Sequence, residues 1–135
     1  MRVIVVTSSV RPSFIIVVDD DPALLRAISF SLEAEGFAVE SHGTAHAFEA
    51  SALASAACMV IDQRLPDAFG LDVLGELRRR GVRTPAVLIT SDPPPPVQAR
   101  AKALQTEIVE KPGLGADLVR AVRAAIAKGP NREDS

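Results

Sequence analysis

The chain has 135 residues, 47% hydrophobic and 24% charged, with a formal net charge of −2. That length suits one domain with a substantial core and leaves no room for a second of similar size. The near-neutral balance argues against nucleic acid or an anionic membrane as partner, no apolar run reaches transmembrane length, and the N-terminus lacks a secretory signal, so a cytoplasmic location is expected.

Residues 1–13 open with an apolar run, Val3, Ile4, Val5 and Val6, followed by Thr7, Ser8 and Ser9, a stretch loosely similar to the flavin-phosphate loop of flavodoxin-like reductases. No helical pattern follows and a second apolar run begins at once, so the expectation is an N-terminal extension, either an added edge strand or a partner-seeking arm. Phe14, Ile15, Ile16, Val17 and Val18 read as a buried strand ending at Asp19, Asp20 and Asp21. Pro22 suits the first position of a helix that Asp21 caps, with Leu24, Leu25, Ile28 and Leu32 on one face and Gly36 as the stop. Residues 37–40 read as a short strand. Thr44 can cap a second helix carrying Phe48 and Leu53 and ending before Ala57. His42 and His46 lie four apart in a polar stretch with no further ligand nearby, which predicts surface positions rather than a zinc site.

Residues 58–62 form another apolar run, broken off by Asp62 and followed by a turn containing Pro66; Cys58 reads as a small buried core residue. The loop 63–70 leads into a helix over residues 71–80 with Leu74 and Leu77 inward and Gly81 as its stop, and Arg78, Arg79 and Arg80 read as a solvated helix end. A strand over residues 86–89 ends at Thr90 and Ser91. Four prolines, Pro93 to Pro96, predict extended chain until a short helix begins near Val97. A strand over residues 108–110 ends at Lys111 and Pro112, and a last helix spans residues 116–128 with Leu118, Val122, Ala125 and Ile126 on one face. Residues 129–135 are a polar tail. Strands alternating with helices predict an α/β fold, a doubly wound five-stranded parallel sheet covered on both faces. The expected organisation is an extension over 1–13, a domain over 14–128 and a tail over 129–135.

In such sheets, ligands bind in the crevice at the carboxyl ends of the strands, so Asp19, Asp20, Asp62, Thr90 and Lys111 are expected to meet there. Carboxylates that close repel by about 4 kcal/mol per pair at an effective dielectric of 20, so a cation is required. Mg²⁺ uses one or two carboxylates together with water and phosphate oxygens, Lys111 supplies a compact positive charge, and the Thr90 hydroxyl can donate to a phosphate oxygen. These parts suit phosphoryl transfer.

Four motifs in order, Val18-Asp19-Asp20-Asp21-Pro22, Ile61-Asp62-Gln63-Arg64-Leu65-Pro66-Asp67-Ala68-Phe69-Gly70, Leu88-Ile89-Thr90-Ser91 and Glu110-Lys111-Pro112, resemble the CheY-like receiver domain of bacterial two-component response regulators over about residues 14–128. The resemblance implies that Asp62 accepts a phosphoryl group from a sensor histidine kinase or phosphotransfer protein. It further implies Mg²⁺ held by Asp19, Asp20, Asp62 and the backbone carbonyl of Arg64, a Thr90 hydroxyl that swings toward the phosphoryl group, Lys111 as its ion-pair partner and a cis Lys111–Pro112 bond. The protein is then not an enzyme beyond slow autodephosphorylation. With no DNA-binding or enzymatic domain after Lys128, a single-domain regulator is expected, acting through contact with a downstream protein, with a homodimer possible and no direct contact with nucleic acid or membrane. Departures from the pattern are Ile108 where an aromatic is usual, Gly113 where Phe is common, and the prolines at 93–96, which point to the proline segment and its neighbouring face as a non-standard output surface. A phosphate-independent interaction module of the same fold is the main alternative. A flavin reductase using residues 7–13 and a haloacid-dehalogenase-like phosphatase are further ones; the latter needs an acid two residues after its nucleophile, where this chain has Arg64.

Overall fold

The computed structural model describes residues 14–111 and 115–130. The extension expected over 1–13, the Lys111–Pro112 bond, Gly113 and most of the tail lie outside the described residues.

Five strands, β1 (Phe14–Val18), β2 (Ala38–His42), β3 (Cys58–Asp62), β4 (Ala86–Thr90) and β5 (Glu107–Glu110), alternate with five helices, α1 (Pro22–Ala34), α2 (Ala45–Glu49), α3 (Gly70–Arg79), α4 (Pro95–Ala103) and α5 (Ala116–Lys128). The sheet is all-parallel in the order β2-β1-β3-β4-β5. The inner strands alternate between two cores, as the period of two requires. Ile16, Val18, Met59, Ile61, Ala86 and Leu88 pack with α2, α3 and α4, whereas Ile15, Val17, Cys58, Val60, Val87 and Ile89 pack with α1 and α5. This two-sided burial explains why these strands read as continuous apolar runs. Cys58 is buried as expected, and burial pushes its thiol up to about 12. The chain winds outward in both directions from β1, so the order reverses between β1 and β3. That is where the crevice opens.

Several elements differ from the sequence reading. The second helix stops at Glu49, and Leu53 sits in a separate 3₁₀ turn, Leu53–Ser55. Ser51 Oγ donates to the Phe48 carbonyl at 2.5 Å, competing with the backbone ladder at the point where the helix would continue. The fourth helix begins at Pro95, two residues before Val97, because Pro95 and Pro96 occupy its first turn, where a missing N–H costs little. Asp92, at φ 44°, turns the chain into this segment. The second strand runs on to His42, whose Cα pairs with that of Val18. His42 is not a free surface group: its Nε2 lies 2.6 Å from Glu40 Oε2. Of the three arginines at the end of α3, Arg79 and Arg80 are exposed and pair with Glu76, while Arg78 turns inward to donate from Nη1 to the Val82 carbonyl at 2.8 Å.

Candidate functional site

β1 and β3 are adjacent and in register, Val18 opposite Ile61, so the residues that follow, Asp19 and Asp62, emerge side by side. Asp19 is fully buried and Asp62 is 3% exposed, whereas Asp20 faces solvent. The three carboxylates each bring an oxygen within 4.8 Å of the others. Local geometry aims them. The Asp19 N–H donates to the His42 carbonyl at 3.0 Å, and Asp19 Oδ1 accepts from the Asp21 N–H at 2.9 Å. Asp21 in turn caps α1, accepting from the Ala23 and Leu24 amides, so the acid after Asp20 shapes the turn rather than lining the crevice.

Lys111 arrives from the far side of the sheet. Thr90 pairs with Glu110 in register, and the Thr90 carbonyl accepts from the Lys111 N–H at 2.9 Å, which fixes the lysine backbone at the tip of β5. Its Nζ lies 3.2 Å from both Asp62 Oδ1 and Asp19 Oδ2. Thr90 is buried one step beyond Ile89, the residue paired with Asp62. Burial raises the Asp62 pKa first and the charge of Asp19 second, against which Lys111 and the Arg64 N–H pull downward. For Lys111, burial works against the charged form, but Asp62 and Asp19 together outweigh it and hold the ammonium above the ordinary lysine value. One cation therefore serves two anions, and the site keeps an excess of negative charge.

The loop after Asp62 closes the crevice with residues that the sequence reading left without a role. Phe69, at the start of α3, offers no capping side chain, and Gln63 supplies the acceptor instead: its Oε1 takes the Leu71 N–H at 2.9 Å while its carbonyl takes that of Gly70 at 2.8 Å. Gly70 lies so close to Asp62 that a Cβ there would come 2.4 Å from the Asp62 carbonyl oxygen. Asp67 accepts from Ala45 N–H at 2.8 Å and His46 N–H at 3.0 Å, tying the loop to the start of α2. The missing cap at Phe69 was a legible signal that another acceptor had to serve α3; the bond from Asp67, 22 residues distant, had none.

Those two backbone N–H donors hold the Asp67 carboxyl below its ordinary 3.8. A depressed folded-state pKa contributes stability that is present above the unfolded value and is lost as pH falls through the folded one. Asp67→Ala is therefore expected to lower the melting temperature at pH 7, with the wild-type and variant curves converging below pH 3.8. Calorimetry across that range checks it, and a difference that persists unchanged in strong acid refutes it.

The donor set fits a hard divalent cation. All three groups offer carboxylate oxygens, and Asp20 is open to solvent, where waters can complete a coordination sphere. Asp19 Oδ2 is buried with no hydrogen-bond partner, since Lys111 Nζ approaches it at 3.2 Å without the alignment of a hydrogen bond. A buried carboxylate oxygen that accepts no hydrogen bond and faces two other carboxylates is a suitable ligand atom for such a cation. Among the described residues, no helix is long and apolar enough to cross a membrane.

Residues 15–123 match the model of the response regulator receiver domain. The chain is 35% identical over 114 residues to the transcriptional regulatory protein FixJ of Azorhizobium caulinodans, covering 83% of this chain and 54% of the relative. It is 33% identical over 127 residues to the response regulator protein TodT of Pseudomonas putida, covering 93% of this chain and 56% of that protein. The chain thus spans about half the length of these curated relatives. Its fold is similar to the crystal structure of a CheY-like response regulator receiver domain protein from Methanospirillum hungatei, with TM-score 0.79 at 23% identity, covering 87% of this chain and 95% of that one.

Proposed function

Since this chain belongs to the receiver-domain family of response regulators, we propose that Asp62 accepts a phosphoryl group from a sensor histidine kinase or a phosphotransfer protein in the cytoplasm. The observation that carries this reading is the triad of contacts at 3.2 Å or within 4.8 Å that surrounds Asp62 with Lys111, Asp19 and Asp20. An Asp62 carboxylate oxygen attacks phosphorus, the bond from phosphorus to the donor's imidazole nitrogen breaks, the imidazole takes up a proton, and an acyl phosphate remains on Asp62. Burial and the charge of Asp19 make that oxygen more basic than an ordinary carboxylate. Lys111 offers its ammonium to the arriving phosphoryl oxygens, and the Thr90 hydroxyl, at the next position along the neighbouring strand, donates to another. Mg²⁺ bound by Asp19, Asp20, Asp62 and the Arg64 carbonyl would neutralise charge developing on the transferred group.

Hydrolysis of the acyl phosphate by water returns free Asp62 and inorganic phosphate. Arg64 and Asp92 flank the path of that water in this reading and pair across the phosphoryl group once it is present. Arg64→Ala should then shorten the phosphorylated lifetime several-fold, as expected for loss of a contact worth about 1 kcal/mol. An unchanged half-life, followed by release of phosphate, refutes the pairing. The signal leaves by protein contact at the proline segment and the adjoining face, where Ile108 replaces the usual aromatic.

Ile108 and a helix that starts on Pro95 favour a second reading, a phosphate-independent interaction module. Incubating the protein with acetyl phosphate and Mg²⁺ and weighing it intact separates the two. The leading reading expects a mass increase of one phosphoryl group; an unchanged mass would leave the interaction module.

A further inference from the structure

A cavity of about 640 Å³ lies at the edge of the sheet opposite Asp62, where β4 and β5 begin and α3, α4 and α5 end. Pro85, Ala86 and Ala125 contribute apolar wall, and Arg78, Lys102, Lys128 and Glu107 contribute charge. The acid is already committed, since Glu107 Oε2 accepts from Arg120 Nη2 at 2.9 Å. Lysines in a last helical turn usually do no more than complement the helix dipole, which accounts for Lys102 in α4 and Lys128 in α5.

It does not account for Arg78. This half-buried side chain donates from Nη1 to the Val82 carbonyl, while its Nε is buried without a partner. No carboxylate among the described residues pairs with it. Burial, and after it the charge of Arg83, push the guanidinium down to about 10. The neighbouring Cys58 thiol, with its pKa pushed up to about 12, is neutral at physiological pH and offers no counter-charge. A cation partly withdrawn from water without a counter-ion carries a desolvation cost, and an anion in the adjoining cavity would offset it.

We infer that this cavity binds a small organic anion, a carboxylate on an apolar body, with its charge toward Arg78, Lys102 and Lys128 and its body against Pro85, Ala86 and Ala125. The volume is typical of small-molecule sites, and apolar walls with a few convergent polar groups are their usual lining. A bare phosphate would satisfy the cations but leave those walls wet.

Titrating the full chain with sodium benzoate, followed by amide NMR shifts, tests this, with benzamide as the neutral isostere and inorganic phosphate as the apolar-free anion. Benzoate should give saturable shifts at Thr106, Ala125 and Gly129 with Kd on the order of 1 mM. Benzamide and phosphate should each bind at least tenfold more weakly. The double variant Lys102→Gln, Lys128→Gln, its circular dichroism unchanged, should weaken benzoate about tenfold. The inference is overturned by non-saturable shifts, by benzamide or phosphate binding equally well, by indifference to the double substitution, or by shifts centred on Thr90 and Lys111.

Discussion

Asp62→Asn should abolish phosphoryl uptake from acetyl phosphate and, in the same sample, raise the melting temperature of the metal-free protein. The first effect follows from removing the nucleophilic oxygen: an amide cannot form the acyl phosphate, and intact mass should stay constant while the wild type gains one phosphoryl group. The second follows from electrostatics. The Asp62 pKa is raised in the folded state, by burial and then by Asp19. A carboxylate so shifted disfavours folding once ionised, with a penalty that appears as pH rises through the ordinary value of 3.8 and is complete above the folded one. That penalty grows as pH rises above the ordinary value, and asparagine removes it while Lys111 keeps Asp19 as its partner at 3.2 Å.

The like-charge repulsion is about 4 kcal/mol per close pair at an effective dielectric of 20, and Lys111 cancels most of it, so a gain of roughly 1 kcal/mol, a few degrees, is expected. Adding Mg²⁺ should reverse the order. At tenfold its Kd a ligand stabilises by about 1.4 kcal/mol, and the variant, with one carboxylate fewer, should gain less. A lower melting temperature for metal-free Asp62→Asn, or Mg²⁺ shifts equal in the two proteins, would contradict this account of the site.

Gly70→Ala should destabilise the protein by about 1–3 kcal/mol through overpacking, well beyond the gain of less than 1 kcal/mol that alanine brings to a helix. The added methyl would sit 2.4 Å from the Asp62 carbonyl oxygen and 2.9 Å from Ile61 Cγ2, and both neighbours belong to a buried central strand. The helix cannot simply retreat, because the Gly70 and Leu71 N–H groups are anchored on Gln63. Urea unfolding should show a lower midpoint with an unchanged slope. Because the clash falls on the backbone that carries Asp62, phosphorylation should slow in the same variant. Gly43→Ala is the matched control, since a Cβ at Gly43 meets nothing within 4 Å. Equal stabilities for the two variants would refute the argument.

The parallel sheet was legible because its inner strands are buried on both faces. Such strands must be apolar throughout and must end abruptly where polar chain leaves the core, as at Val18, Asp62 and Thr90. The gathering of Asp19, Asp20 and Asp62 follows from that, since strand tips in register bring the next residues together. Helix interiors were legible by their spacing of three and four, and so were the caps at Asp21 and Thr44 and both ends of α5, but the end of α2 and the start of α4 were not. Ser51 ends α2 through a bond to a carbonyl three residues back, and Pro95 starts α4 because the first turn tolerates proline.

Composition and the order of apolar runs were enough to determine the α/β class, the two-sided core and the acids that would share an edge, because each depends on periodicity along a single stretch of chain. Only the tertiary structure decided that Lys111 bridges Asp19 and Asp62, that Asp67 caps a helix 22 residues upstream, that Gly70 presses on the backbone of Asp62, and that Arg78 turns inward while Arg79 and Arg80 stay out. These are contacts between residues far apart in sequence or choices among neighbouring side chains of one type, and they depend on distances that arise only after the strands have paired and the helices have packed against them.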